Sequence, residues 1–217
     1  MYQPAHFRET RPEALHGLIA AHPLSSLVTV FNGRIIANSI PLLLDPARGE
    51  HGTLMGHVAR TNPLWREFDP AIDALAIFSG PQHYISPALY ATKRETAKVV
   101  PTWNYATVHA YGPLVIHDDP QWLLAFLNRL TDAQEAGRNE PWKVSDAPPA
   151  YVDANLKAIV GIEIPIRSIE GKWKMSQNRV PKDQASVVAG LAAVQTPEAT
   201  TMSALVAEYT KATRPKA

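Results

Sequence analysis

Apolar residues Ala14, Leu15, Leu18 and Ile19 recur at helical spacing within residues 9–22. This predicts a first helix, with Thr10 before Pro12 as its cap region. Residues 25–31 form a short β-rich run. Asn32-Gly33 behind it is the strongest local hairpin signal in the chain, and residues 34–45 return as a second strand. The run Ile40-Pro41-Leu42-Leu43-Leu44 reads as deeply buried. Pro41 cannot donate to a ladder and implies an edge or a bulge. Residues 46–50 read as a turn and 51–57 as a third strand. A helix is expected next, with Asn62 as N-cap and Pro63 in the first helical position.

Residues 71–78 read as an apolar strand and 79–90 as an ordered loop rich in Gly, Pro, Ser and Tyr. Residues 102–117 read as a long strand region, where Val108 and Ala110 alternate with His109 and Tyr111. An amphipathic helix over 120–134 and a short helix over 148–156 follow. Val160, Ile162, Ile164 and Ile166 mark a strand over 158–169. Gly171 is expected to make a bend, and 173–179 an irregular polar stretch. Two helices should close the chain, over 182–194 and 197–211, the second capped by Thr196; the tail 211–217 is expected to fray. Mixed strand and helix runs without regular βαβ alternation predict an α+β, mostly β fold rather than a Rossmann sheet. Without repeats or a low-complexity linker, a single domain over 1–217 is expected, with six or more strands and C-terminal helices at about 182–211.

Composition narrows the chemistry. Hydrophobic residues make up 46% of 217, enough for a sizeable core. Lys+Arg number 21 against 20 Asp+Glu, a balance that gives no global pull toward nucleic acid or an anionic membrane. The absence of cysteine excludes disulfides, thiolate metal sites and thiol nucleophiles. Neither a signal peptide nor a membrane-spanning apolar stretch is recognisable, so a soluble cytoplasmic protein is expected.

Four segments can carry chemistry, and each has a plainer alternative. Gly56-His57-Val58-Ala59-Arg60-Thr61-Asn62-Pro63 combines a strand end, a cation and a helix start, which together suit a phosphate. Alone it reads first as an ordinary capped helix start with a surface arginine, because such starts are common. Gly80-Pro81-Gln82-His83-Tyr84-Ile85-Ser86-Pro87 crowds His83, Tyr84 and Ser86 into a presumed loop, or packs them beneath a turn. Pro101-Thr102-Trp103-Asn104-Tyr105 offers a stacking wall for a planar ring, or a core tryptophan at a strand entrance. Gly171-Lys172-Trp173-Lys174-Met175-Ser176-Gln177-Asn178-Arg179 offers groups that can read a heterocycle edge, or a solvated basic loop. Nucleophile elbows, Walker loops and zinc-protease motifs are absent. His51 and His57 are read on one strand and share a face without a carboxylate partner, so no metal site is expected.

Taken in order, Gly56–Pro63, Ile85-Ser86-Pro87, Val100–Tyr105 and Lys174–Asn178 resemble the PaiB-type proteins, known as FMN-binding negative transcriptional regulators. The resemblance covers nearly the whole chain, and the Trp-Asn-Tyr and Lys-x-Ser-Gln-Asn segments are its specific part. It implies an FMN-binding split β-barrel with peripheral helices, similar to pyridoxamine-phosphate oxidases, forming a homodimer with FMN at the subunit interface. It implies that the phosphate lies against His57, Arg60, Thr61 and Asn62, and that the ring lies along 38–43, with Ser39, Ile40 and Leu42. Trp103, Asn104, Lys174, Ser176, Gln177 and Asn178 are the candidates for the partner chain's closing contribution. The basic residues that pyridoxamine-phosphate oxidases carry on the strand before the phosphate loop have no counterpart in Asn38-Ser39-Ile40-Pro41.

The expected function is negative transcriptional regulation or flavin-dependent sensing. The alternatives are an FMN-dependent oxidoreductase acting on a small molecule, in which the flavin does the chemistry, or a haem-handling protein using His51, His83 or His109 as axial ligand. DNA contact is implied by the resemblance alone, because the chain carries no basic recognition helix and only Lys211, Arg214 and Lys216 near its end.

Overall fold

The computed structural model describes residues 1–211; the expected frayed end of the chain, 212–217, lies outside them. The strands are β1 (Arg8–Glu9), β2 (Leu24–Phe31), β3 (Arg34–Pro41), β4 (Leu43–Asp45), β5 (Thr53–Ala59), β6 (Ala74–Ile85), β7 (Thr102–Gly112), β8 (Val115–His117), β9 (Ile159–Pro165) and β10 (Ser168–Lys174). The helices are α1 (Pro12–Ala21), α2 (Lys93–Thr96), α3 (Pro120–Glu135), α4 (Pro149–Leu156), α5 (Pro181–Val194) and α6 (Pro197–Lys211).

These elements divide into two compact units. Among the described residues the first comprises 1–18, 79–108 and 170–211; its strands follow the order β1-β10-β7-β6. Its core is built from Leu15, Ile85, Trp173, Met175, Val187, Leu191, Met202 and Val206, supplied by α1, β6, the β10 region and the two closing helices. The second comprises Ile19–Phe78 and His109–Ile169 and holds the orders β6-β2-β3 and β4-β5-β9-β8. Leu27, Leu42, Leu54, Phe78, Leu123, Ile162 and Ile164 are its largest fully buried side chains beside Ile19 and Leu64.

Local chemistry explains most of these elements. Asn32 and Gly33 both take positive φ, 50° and 74°, the conformation that matches a tight turn to the twist of a hairpin. The β2–β3 register runs without a break from Phe31↔Arg34 to Leu24↔Pro41. Asp119 caps α3 by accepting hydrogen bonds from the N–H groups of Gln121 and Trp122. Thr196 Oγ1 accepts from the Ala199 N–H at the start of α6.

Several expectations from the sequence need correction. The strand expected over 34–45 splits at Leu42: β3 ends at Pro41 on the edge of one ladder, and β4 pairs with β5 in another. Within the apolar run only Ile40 and Leu42 are buried, while Pro41 is exposed. The helix expected after Asn62 is a single 3-10 turn, Pro63–Trp65. The presumed loop 79–90 is largely strand, because β6 continues to Ile85. Gly80 there marks a close approach instead of a turn: an added Cβ would lie 2.8 Å from Leu18 Cδ1. Gly171 makes no bend but sits inside β10, where a Cβ would lie 2.2 Å from Leu15 Cδ2. Trp173 and Lys174 belong to that strand too, so the polar irregular stretch starts later than expected. His51 precedes β5, so it does not share a strand face with His57.

Candidate functional site

The residues singled out from the sequence fall into two sets, one in each unit. In the second unit, β5 delivers the chain into the loop that holds Arg60, Thr61 and Asn62. Gly56 is required there: a Cβ would meet Leu42 Cδ2 at 2.7 Å and the Pro41 carbonyl oxygen at 3.1 Å, so the β3–β4 crossing could not lie so close. The loop and the strand 38–43 do come together. Asn62 Nδ2 donates to Asn38 Oδ1 at 3.2 Å, while Asn62 Oδ1 accepts from the Leu64 N–H at 3.0 Å.

Arg60 is not a free cation. Its Nη1 donates to Asp118 Oδ2 at 3.0 Å and its Nη2 to Asp118 Oδ1, a forked pair of the strong bidentate type. Its Nε donates to the Lys157 carbonyl at 2.7 Å and Nη2 also to the Ile159 carbonyl at 3.0 Å. The hydrogen bond to Asp118 raises the Arg60 guanidinium and lowers the carboxyl. His57 packs edge-on against Phe126, with 5.9 Å between ring centroids, and burial lowers its pKa, so it is neutral at pH 7. Thr61 is exposed. With a 3-10 turn of three residues behind them, these groups lack the helix dipole on which the phosphate expectation leaned.

The ring expectation at 38–43 also changes. Ile40 and Leu42 are 4% and 1% exposed, so their side chains belong to the core and only Ser39 of the three faces outward. The outward face is uncharged. Directly opposed pairs Leu24↔Pro41, Ser26↔Ser39, Val28↔Ala37 and Val30↔Ile35 line it, and Leu24 and Ile35 are 63% and 77% exposed.

The second set, in the first unit, is built around β10. Lys172 and Lys174 lie two residues apart on that strand and so share a face. Lys172 Nζ donates to the Tyr2 carbonyl at 3.1 Å and lies 5.6 and 5.4 Å from the ring centroids of Tyr2 and Tyr105. Lys174 Nζ hydrogen-bonds Thr102 Oγ1. Arg179 stands over the ring of Tyr90 at 4.7 Å. Glu170, on the Lys172 side of the strand, is engaged by the N-terminal ammonium at 2.6 Å. Among the described residues none of the three cations forms an ion pair with a carboxylate. Burial lowers the pKa of Lys174, and the charges of Lys172 and Arg179 lower it further.

The loop after β10 is locked from within. Gln177 Oε1 accepts from the Met175 N–H at 2.6 Å and its Nε2 donates to the Trp173 carbonyl at 2.7 Å. Ser176 takes a positive φ of 63° and its hydroxyl pairs with buried Asn104 at 3.0 Å. Gln184 of α5 donates to the Arg179 carbonyl at 2.8 Å, with longer contacts to the carbonyls of Ser176 and Gln177. Asn104, Ser176 and Gln177 therefore hold the scaffold, whereas Lys174 is partly exposed and Asn178 is exposed. Trp103, 52% exposed, meets Tyr84 edge-on at 6.0 Å. Sequence reasoning passed over Lys172, Arg179, Gln184 and Asp118. Only Lys172 carried a readable signal, its spacing of two from Lys174 on a strand.

Cations without internal counter-ions suit a phosphate. An uncharged, largely apolar strand face suits an aromatic ring or a second protein surface. Among the described residues no group of three or more His, Asp or Glu side chains is placed to hold a metal ion, and no helix is long and apolar enough to cross a membrane.

A family model described as "Putative FMN-binding domain" matches residues 1–168. "Protease synthase and sporulation protein PAI 2" of Bacillus subtilis is 32% identical over 211 residues, covering 97% of this chain and 99% of that protein. Among solved structures, the FAD and heme binding protein of Mycobacterium smegmatis superposes with a TM-score of 0.55 at 17% identity, over 77% of this chain and 73% of that one. The flavocytochrome Anf3 of Azotobacter vinelandii gives 0.54 at 14%, over 82% and 75%. At such identities the structural likeness speaks for the fold alone, the α+β split barrel expected from the sequence. The family match and the Bacillus relative together establish that the chain belongs to the PaiB-type FMN-binding family, with FMN as its cofactor.

Proposed function

We propose that the protein works as a homodimeric FMN-dependent sensor in negative control of transcription, with the FMN phosphate held by the Lys172–Lys174–Arg179 cluster. The observation that carries this reading is the set of three cations left without a carboxylate, two of them on one strand face. Burying charge without a partner is costly, and a bound dianion removes that cost. Arg60, neutralised by Asp118, acts as a brace that fixes the loop after β5.

The homodimer is supported by the uncharged face of β2 and β3. A two-fold axis through such a face lets identical patches cover one another, with Ile35 and Leu24 removed from water. In that arrangement the strand surface of one protomer meets the isoalloxazine ring, and the partner's cations close on the phosphate. Sensing is favoured over direct DNA reading by the helices. α5 carries Lys182 beside Asp183, and α6 carries Glu198, Glu208 and Lys211, so neither offers a basic recognition surface. The Bacillus subtilis relative is named for protease synthase and sporulation rather than for a reaction.

The test is a fluorescence titration of flavin-free protein with FMN, run beside sedimentation equilibrium. Saturable binding to a dimer, weakened in Lys174→Ala and with the dimer lost in Ile35→Glu, is the expected result. A protein that binds no FMN overturns the reading. Sustained NAD(P)H oxidation through the bound flavin replaces the sensor with an oxidoreductase.

A further inference from the structure

A second polar site lies in the first unit, in a cleft of about 350 Å³ bounded by β1, the loop after β10 and the end of α6. Its back wall is Glu9, 6% exposed. The Glu9 carboxylate accepts from the N–H groups of Thr10 and Arg11 at 3.0 and 2.9 Å, from Arg11 Nε and Nη2 at 3.0 and 2.6 Å, and from the Tyr209 hydroxyl at 2.7 Å. Burial alone would raise this carboxyl, but the bonds from Arg11 and Tyr209 hold it down at about 2. Glu9 is thus ionised and fully occupied, and it has no capacity left for a ligand. Tyr209, stacked on Trp173 at 6.3 Å, completes a rigid wall.

The groups around that wall are differently placed. Arg8 forms no ion pair and no side-chain hydrogen bond among the described residues, and neither does Glu208, yet both line the cleft. Arg11 keeps Nη1 available, because its bonds to Glu9 and Tyr209 use Nε and Nη2. Arg8 also stands directly across from Lys172 in the β1–β10 ladder, a like-charge pairing that an anion on Arg8 would relieve. The cleft therefore offers the charges of Arg8 and Glu208, which do not satisfy each other, and Arg11 Nη1 as a further donor on a guanidinium whose charge is already met by Glu9.

We propose that this cleft binds a small zwitterion, a free amino acid, whose carboxylate meets Arg8 and Arg11 and whose ammonium meets Glu208. A ligand bearing both charges neutralises the unmatched groups of the cleft, whereas a simple anion leaves Glu208 unmatched and a simple amine leaves Arg8 unmatched. The volume suits a small amino acid.

Isothermal titration of the full chain with each standard amino acid at millimolar concentration tests this, with the methyl ester and N-acetyl forms of the best binder as controls. The titration is run without flavin, so its outcome is independent of the FMN reading. Saturable binding to at least one free amino acid is expected, weakened about tenfold or more by removing either ligand charge, by Arg8→Ala and by Glu208→Gln. Arg8 and Glu208 are surface side chains without partners among the described residues, so both variants should keep the parent's circular dichroism spectrum. Absence of saturable binding by every amino acid overturns the proposal, as does equal binding by the parent, Arg8→Ala and Glu208→Gln.

Discussion

Arg60 and Lys174 are both cations beside polar loops, and they differ in the company they keep. Arg60 faces Asp118, the carbonyls of Lys157 and Ile159, and the ring of Trp65 at 5.7 Å. Lys174 faces a threonine hydroxyl and feels the charges of Lys172 and Arg179. The arginine is satisfied inside the protein; the lysine is held in repulsion. A cation's availability to a ligand depends on the counter-ions the fold supplies, and a sequence motif does not record those. Asp118 lies 58 residues from Arg60 in the chain, so nothing local in Arg-Thr-Asn-Pro announces it.

Substitutions can break this contrast. Lys174→Ala should weaken FMN binding most, by roughly tenfold to a hundredfold, since hydrogen bonds to charged groups contribute about 1.5–3 kcal/mol. Flavin fluorescence quenching measures it directly. Arg60→Ala should leave FMN affinity within about threefold while lowering the melting midpoint by roughly 2–4 °C, because the loop loses its ties to Asp118, Lys157 and Ile159. Calorimetry and the same titration separate the two effects. A large affinity loss in Arg60→Ala, with none in Lys174→Ala, would reverse the assignment of the two residues.

Much of the fold was legible because its signals are local. The Asn-Gly hairpin, the cap at Thr196, and the alternation through Val160, Ile162 and Ile164 each act within a few residues. The failures are non-local. Gly80 and Gly171 read as turn residues, but they are strand positions where Leu18 and Leu15 of α1 come too close for a Cβ. Leu42 reads as mid-strand, although the chain changes ladders there and its N–H goes to the Pro23 carbonyl at 2.9 Å. In the candidate site the segments were found but their division of labour was not. Ser176, Gln177 and Asn104 read as ligand-reading groups, yet they bond to one another's neighbourhood and hold the loop. Lys172 and Arg179 read as solvated charge. Which polar side chain is spent on the scaffold and which is left over is decided by partners distant in sequence.

A subtler substitution sharpens the contrast from the other side. Asp118→Asn keeps the shape of the carboxylate and removes its charge, leaving Arg60 with carbonyl partners only. If company decides availability, the loop after β5 should then attract anions more strongly than in the parent. A gain of about two- to threefold in inorganic phosphate binding, read by displacement of a fluorescent anion, is the expected size for a partly exposed charge. No change would mean that the carbonyls of Lys157 and Ile159 alone keep Arg60 occupied.

The smallest effect is a drift with pH, and its sign is the most discriminating. The Lys174 pKa lies below the ordinary lysine value of 10.5, first through burial and then through the charges of Lys172 and Arg179. In the flavin-free protein the folded chain therefore releases this proton at lower pH than the unfolded chain does. Where the unfolded state binds more protons, stability rises with pH, so the repulsion at Lys174 is relieved as pH climbs through the folded pKa toward 10.5. FMN affinity must move the opposite way. The flavin phosphate has a second pKa near ~6, so above neutrality its charge is constant and the change at the phosphate is loss of the ammonium that meets it. Stability of the flavin-free protein should thus increase over the same alkaline interval in which FMN binding weakens, and Lys174→Ala should flatten both curves. Arg60 stays charged throughout that interval. If Arg60 were the phosphate anchor, the affinity curve would stay flat in the parent and Lys174→Ala would leave it unchanged.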